Sequence, residues 1–186
     1  PMKIVCWDIY SNKINKNLLQ TPIPDVPKSG DLDASNLGLL IANLMPENSI
    51  VSDEAATSSF LVTPQALKAK PHDWLCLTGG SIGQGLPLAV GAAIAKPDRP
   101  VITLHGDGGA MYTVQALWTQ ARENLNITNI IFANHSYEIL KIELSRVGAV
   151  KTGQRADSMF SLDNPKLDWI KLCLLYTSPS PRDAES

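Results

Sequence analysis

Cysteine is scarce: Cys6, Cys76 and Cys173 lie scattered along 186 positions. An odd, dispersed set supports neither a disulfide framework nor a zinc cluster, and it points to a reducing, cytoplasmic setting. His72, His105 and His135 stand some thirty residues apart, which is no local metal-ligand spacing. Charge of neither sign predominates. Sixteen Lys and Arg against eighteen Asp and Glu leave −2, no basic field to attract nucleic acid or an anionic membrane. No apolar run approaches the roughly 18 residues of a membrane span, and no signal peptide opens the sequence. No internal repeat is evident. What remains, 44% hydrophobic and 18% charged, suits one α/β enzyme domain large enough to bury its own core.

The first residue is Pro1, so the natural start is expected to be missing or processed. Residues 3–9 suit a short strand. Residues 21–27 carry three prolines in seven positions and read as an extended linker. Residues 1–30 stay unplaced, and the domain proper begins near Asp31. Leu37, Leu40, Ile41 and Leu44 recur at helical spacing behind Asp33 or Ser35 as N-cap, and Pro46 stops that helix. Residues 49–53 then read as a strand, 74–77 as a second, 86–95 as a small-residue helix and 101–104 as a buried-type strand. Val114, Leu117, Trp118 and Ala121 share one face of the next helix, with Trp118 as core. A buried-type strand over 127–132 and a helix over 137–147 follow. Strands alternating with helices argue a three-layer α/β/α fold on a mainly parallel sheet.

The pattern stops after residues 167–172. Residues 173–186 are expected to be a non-native tail, since LLYTSPSPRD resembles translated sequencing-adapter read-through. The domain then spans 31–172 and is C-terminally truncated, with an unfinished sheet edge that predicts poor solubility.

The chemistry concentrates between Val101 and Tyr137. A strand runs into Gly106-Asp107-Gly108-Gly109, a helix follows from about Ala110, and a second strand ends at Asn134. In a parallel βαβ unit both strand ends emerge on one edge, and neighbouring strands lie about 4.8 Å apart. Asp107 and Asn134 can therefore meet at the carboxyl edge, where doubly wound sheets bind ligands. A carboxylate and an amide oxygen are hard ligands suited to Mg²⁺, which takes further oxygens from phosphate and water. The glycines admit close backbone approach to a phosphate, and the helix start adds partial positive charge. These residues alone suggest a Mg²⁺-diphosphate site.

Gly106-Asp107-Gly108, twenty-four further residues, then Ala133-Asn134 resembles the signature of thiamine-diphosphate enzymes, GDG followed after about 24–27 residues by NN. Ala133 replaces the first Asn, but the ligand position survives. Residues 79–93 are similar to the segment preceding GDG in acetolactate synthase and benzoylformate decarboxylase relatives. The resemblance covers roughly Asp31 to Leu172 and is nearest to acetolactate synthase large-subunit-like proteins. It implies the thiamine-diphosphate-binding fold, with Asp107, Asn134 and the Ser136 carbonyl as metal ligands. It further implies Ile82 as the wedge that bends the cofactor, and the Gly80 carbonyl as acceptor for its aminopyrimidine. Thr57 is implied at the diphosphate, with Gly106, Gly108, Gly109, Tyr112 and Tyr137 at further cofactor positions.

The implied reaction is decarboxylation of a 2-keto acid and transfer of the resulting enamine to a second 2-keto acid. A benzoylformate-type decarboxylase is the alternative within the family. FAD is possible in a middle domain of the full-length protein, which is implied to be a homodimer or homotetramer. The activating glutamate is expected on a separate pyrimidine domain, so no catalytic residue is assigned here and the isolated chain is expected to be inactive. Read without the family, Ile82 is core, Tyr137 serves packing or ligand equally, and Glu54 is a cap or an acid and is left unassigned. His135 receives no role. A non-catalytic nucleotide-binding α/β module is the rival of another class.

Overall fold

The computed structural model describes residue 25 and residues 33–66, 68–148 and 153–176. The strand expected over 3–9 lies outside them, as does the linker over 21–27 apart from Asp25. Helix α1 (Ala34–Leu44) starts where the sequence places it, because the Asp33 carboxylate accepts the Asn36 N–H at 2.7 Å and satisfies one orphan donor of the first turn. Strands β1 (Ile50–Glu54), β2 (Asp73–Cys76), β3 (Val101–Gly106) and β4 (Ile127–Phe132) form one parallel sheet in the order β2-β1-β3-β4.

Alternate residues of the strands face opposite layers. Val51, Ile102 and Leu104 point to one side, where α1 and α2 (Ser59–Ala66) cover them with Ile41, Met45, Val62 and Ala66. Gly38 permits that approach, for a Cβ there would sit 3.0 Å from the Val62 Cα. On the other side α3 (Gly85–Ala95) sets Ala89 and Ala93 against Ile50 and Val101. Beside it α5 (Ala116–Arg122) packs Ala116 and Leu117 on Leu86, with Trp169 of α8 (Trp169–Tyr176) at the margin. The result is the expected three-layer α/β/α arrangement. Two further helices are α6 (Glu138–Arg146) and α7 (Gln154–Met159). Helix α8 takes in residues 173–176, the start of the segment assigned to the tail; residues 177–186 lie outside the described set. No helix among the described residues is long and apolar enough to cross a membrane.

Three local expectations need correction. The helix expected from about Ala110 is two pieces, α4 (Asp107–Ala110) and α5, so the helical turn opens on Asp107 itself. The buried face of α5 is Ala116, Leu117 and Gln120, so Trp118 is not core but 48% exposed, with the Arg122 guanidinium carbon 5.2 Å from its ring centroid. Strand β4 is only partly buried, because it is an edge strand of the described sheet, as is β2.

Candidate functional site

Strand β1 sits between β2 and β3, so successive connections run to opposite sides of it. This is a topological switch point, and the crevice at the carboxyl ends of such strands is where doubly wound sheets hold ligands. The register sets Glu54 beside His105 and Gly106 beside Phe132, which brings the ends of β1, β3 and β4 together.

A cavity of about 220 Å³ opens at that edge. Its wall takes Thr57 from the single 3₁₀ turn after β1, Gly80 and Ile82 from the turn before α3, and Gly106, Asp107, Gly108 and Gly109 from the β3–α4 junction. Tyr112 follows α4, and Asn134, Ser136 and Tyr137 come from the segment after β4. Every residue assigned from the sequence thus lines one cavity. Ile82 and Tyr112 are 43% and 60% exposed, so the mouth is open. The volume is below the roughly 300 Å³ at which pockets for whole drug-sized ligands begin, and it suits one end of a longer ligand.

Asp107 is 1% exposed. Its Oδ1 accepts the Gly108 N–H at 2.9 Å, and its Oδ2 accepts the His135 N–H at 2.7 Å. Sequence reasoning gave His135 no role; its backbone, at φ +55°, donates to the carboxylate that joins the two strand ends. Asn134 is exposed, and its Oδ1 accepts the Ser136 N–H at 3.0 Å. The Ser136 hydroxyl lies 3.2 Å from Glu138 Oε2 and 3.3 Å from the Phe160 carbonyl. The Gly80 carbonyl accepts the Ile82 N–H at 2.9 Å and keeps a second lone pair for a ligand. Gly79, Gly80 and Gly83 all have positive φ, conformations that side-chain-bearing residues resist.

Glu54 is the site residue that sequence reasoning passed over. It does not face solvent: it is 4% exposed, and its oxygens accept the Gly83 N–H and, at 2.6 Å, the N–H of Gly85, the first residue of α3, so that it serves as a cap supplied from β1. His105 Nε2 lies 3.0 Å from Glu54 Oε2, off the line of an ideal hydrogen bond. Burial pushes the Glu54 carboxyl up, but His105 and the two glycine amides outweigh it, so the net shift is below the ordinary glutamate range. A depressed folded-state value stabilises the fold above the unfolded-state value, and that contribution disappears as pH falls through the folded one. Acid unfolding is therefore expected to steepen below the ordinary glutamate range in wild type. In Glu54→Gln the acid limb should be flatter, as read by circular dichroism against pH. Parallel acid limbs would contradict this.

Among the described residues no cluster of three or more His, Cys, Asp or Glu could hold a metal. Any cation at this edge would need a mixed set of carboxylate, amide and carbonyl oxygens. Residues 57–178 match the model of the thiamine pyrophosphate enzyme, C-terminal TPP binding domain. The chain belongs to this family. The acetolactate synthase large-subunit-like protein IlvX of Mycobacterium tuberculosis (strain H37Rv) is 49% identical over 151 residues, which is 80% of this chain and 29% of that protein. The Escherichia coli (strain K12) acetolactate synthase isozyme 1 large subunit is 32% identical over 118 residues, 62% of this chain and 21% of that protein. A solved thiamine diphosphate-dependent 4-hydroxybenzoylformate decarboxylase from Rhodococcus jostii RHA1 superposes with a TM-score of 0.69 at 28% identity. That superposition covers 84% of this chain and 29% of the decarboxylase. The chain thus spans under a third of the length of each relative, and within the TPP-binding family the matched part is the domain that carries the cavity.

Proposed function

We propose that this domain holds the diphosphate end of thiamine diphosphate, with Mg²⁺, for a 2-keto-acid carboligase of the acetolactate synthase type. The observation that carries the reading is the convergence of all the assigned residues on one cavity at the switch point. The donor chemistry fits. The Asp107 carboxylate, the Asn134 amide oxygen and the Ser136 carbonyl are hard oxygens that leave the remaining Mg²⁺ positions to diphosphate and water. The Gly106–Gly109 backbone gives the diphosphate close approach, with Thr57 as a hydroxyl contact. Ile82, Tyr112 and Tyr137 offer apolar surface to the rest of the cofactor. When bound, the cofactor supplies the electron sink for decarboxylation of a 2-keto acid; this chain's residues bind and orient it.

The Rhodococcus decarboxylase superposition favours a second reading, in which the whole protein is a benzoylformate-type decarboxylase that releases an aldehyde. The site is common to both readings, and the second substrate distinguishes them. The complete protein is proposed to be at least a homodimer.

Titration calorimetry of the chain tests the common part. Thiamine diphosphate is expected to bind only with Mg²⁺, and Asn134→Ala should weaken it about tenfold, the loss of one ligand from a metal set. Preference for a nucleotide, with Asn134→Ala indifferent, would replace this reading with a nucleotide-binding module.

A further inference from the structure

Five of the six residues from Gly80 to Gly85 are small or polar, and the exception, Ile82, is 43% exposed at the cavity mouth. Such a turn has little apolar surface with which to fix itself, and three positive-φ glycines at 79, 80 and 83 widen its conformational choice. Its position must come from hydrogen bonds. Gly83 is held from both sides: Glu54 accepts its N–H, and the Thr113 hydroxyl donates to its carbonyl at 2.7 Å. At Gly85, Glu54 accepts the N–H at 2.6 Å, and the Ser52 hydroxyl donates to the carbonyl at 2.9 Å.

The same carboxylate reaches the other wall of the cavity. His105, fully buried, contacts it from the end of β3, two residues before Asp107. Two glycines leave the room for this pair. A Cβ at Gly85 would lie 2.7 Å from His105 Nε2, and one at Gly109 would lie 3.0 Å from Glu54 Oε1. The pair therefore fills the space between the turn that carries Ile82 and the turn that carries Asp107. Both Glu54 oxygens are engaged by these partners, which leaves Glu54 a tie between the two turns and not a group that reacts.

We propose that Glu54, backed by His105, is a positioning residue: one buried carboxylate sets the Ile82 turn relative to the Asp107 turn before the cofactor arrives. The proposal rests on the functional reading above. Holding a site in its binding geometry in advance lowers the ordering cost of the ligand. In Glu54→Gln the shape is kept, but an NH₂ group must face one of the two glycine N–H donors.

Residue-resolved hydrogen exchange by NMR on the cofactor-free chain, paired with calorimetry, tests it. In wild type the Gly83 and Gly85 amides are expected to exchange more slowly than those of Gly79 and Gly80. In Glu54→Gln they should exchange about tenfold faster, with β3 amides unchanged, and thiamine diphosphate with Mg²⁺ should bind about tenfold more weakly. A merely structural pair would move the β3 amides as well. Unprotected Gly83 and Gly85 in wild type would overturn the proposal without any variant. So would an undiminished affinity in Glu54→Gln whose β3 protection is intact. Should Glu54→Gln fail to fold, Glu54→Asp keeps the charge on a shorter arm and is expected to lose protection at one glycine first; protection at both, with full affinity, counts against the proposal. A wild-type chain with Gly83 protected but no cofactor signal would sink the functional reading instead, so the two failures are separable.

Discussion

In Asp107→Ala, Mg²⁺-dependent binding of thiamine diphosphate is expected to fall by about a hundredfold or more, to the floor of a calorimetric titration. Two effects add. The substitution deletes the one carboxylate proposed as a metal ligand, and a metal with few protein ligands depends heavily on each. It also leaves the His135 N–H, which now donates to Oδ2 at 2.7 Å, without its charged acceptor. That bond closes the end of β4 onto the end of β3, so Asn134 and Ser136 lose their fixed place as well. Asp107→Asn separates the contributions. It preserves shape and the Oδ1 bond to Gly108 but removes the charge and turns an NH₂ toward His135. Its affinity should drop nearly as far as that of Asp107→Ala, while its thermal melt stays closer to wild type. Unaltered affinity in either variant would show that Asp107 is not the ligand.

The sheet and the assigned residues were legible because their signals are local. Asp33 before an i, i+3, i+4, i+7 pattern marks α1, and the buried run of β3 is bounded by Pro100 and Gly106. Gly106-Asp107-Gly108 and Asn134 are strand ends, and parallel neighbours place strand ends on one edge whatever lies between. The unread parts depend on contacts far apart in sequence or on the exact phase of a helix. Glu54 meets Gly83, Gly85 and His105 across 29, 31 and 51 positions, and no periodicity spans such gaps. Trp118 has helical spacing to Val114 and Ala121, yet the buried face of α5 is Ala116, Leu117 and Gln120, and one position along a helix turns a side chain by about 100°. Helix α2 was hidden by Pro64, an interior helix breaker in general; here the proline lies on the exposed side of a short helix. His135 has the turn conformation of a residue with no expected function, and its importance lies in a backbone N–H that every residue but proline has.

Gly108→Ala is expected to damage binding far more than folding. Gly108 has no left-handed backbone to defend and lies within the helical turn Asp107–Ala110, where alanine is ordinarily better than glycine by roughly 1 kcal/mol. Any loss must therefore come from the added methyl group. Built there, it stands 2.6 Å from Cε1 and 2.7 Å from Cδ1 of the Tyr137 ring, with Leu162 Cδ1 at 3.6 Å behind. Normal carbon contacts begin near 3.5 Å, so the ring must move by about 1 Å. The Tyr137 ring is part of the cavity wall, so relief of the clash changes the shape of the site. A displacement of that size can cost about a hundredfold where a ligand is held closely. The overpacking cost to stability is about 1–3 kcal/mol, partly offset by the helix preference. Tyr137→Ala provides the decisive background, for with the ring gone the methyl has nothing to displace. Gly108→Ala should then cost little further affinity, a strong coupling in the double-mutant cycle. Equal losses from Gly108→Ala with and without the ring would mean that the glycine is needed for close approach of the diphosphate to the backbone, and that Tyr137 only packs beside it.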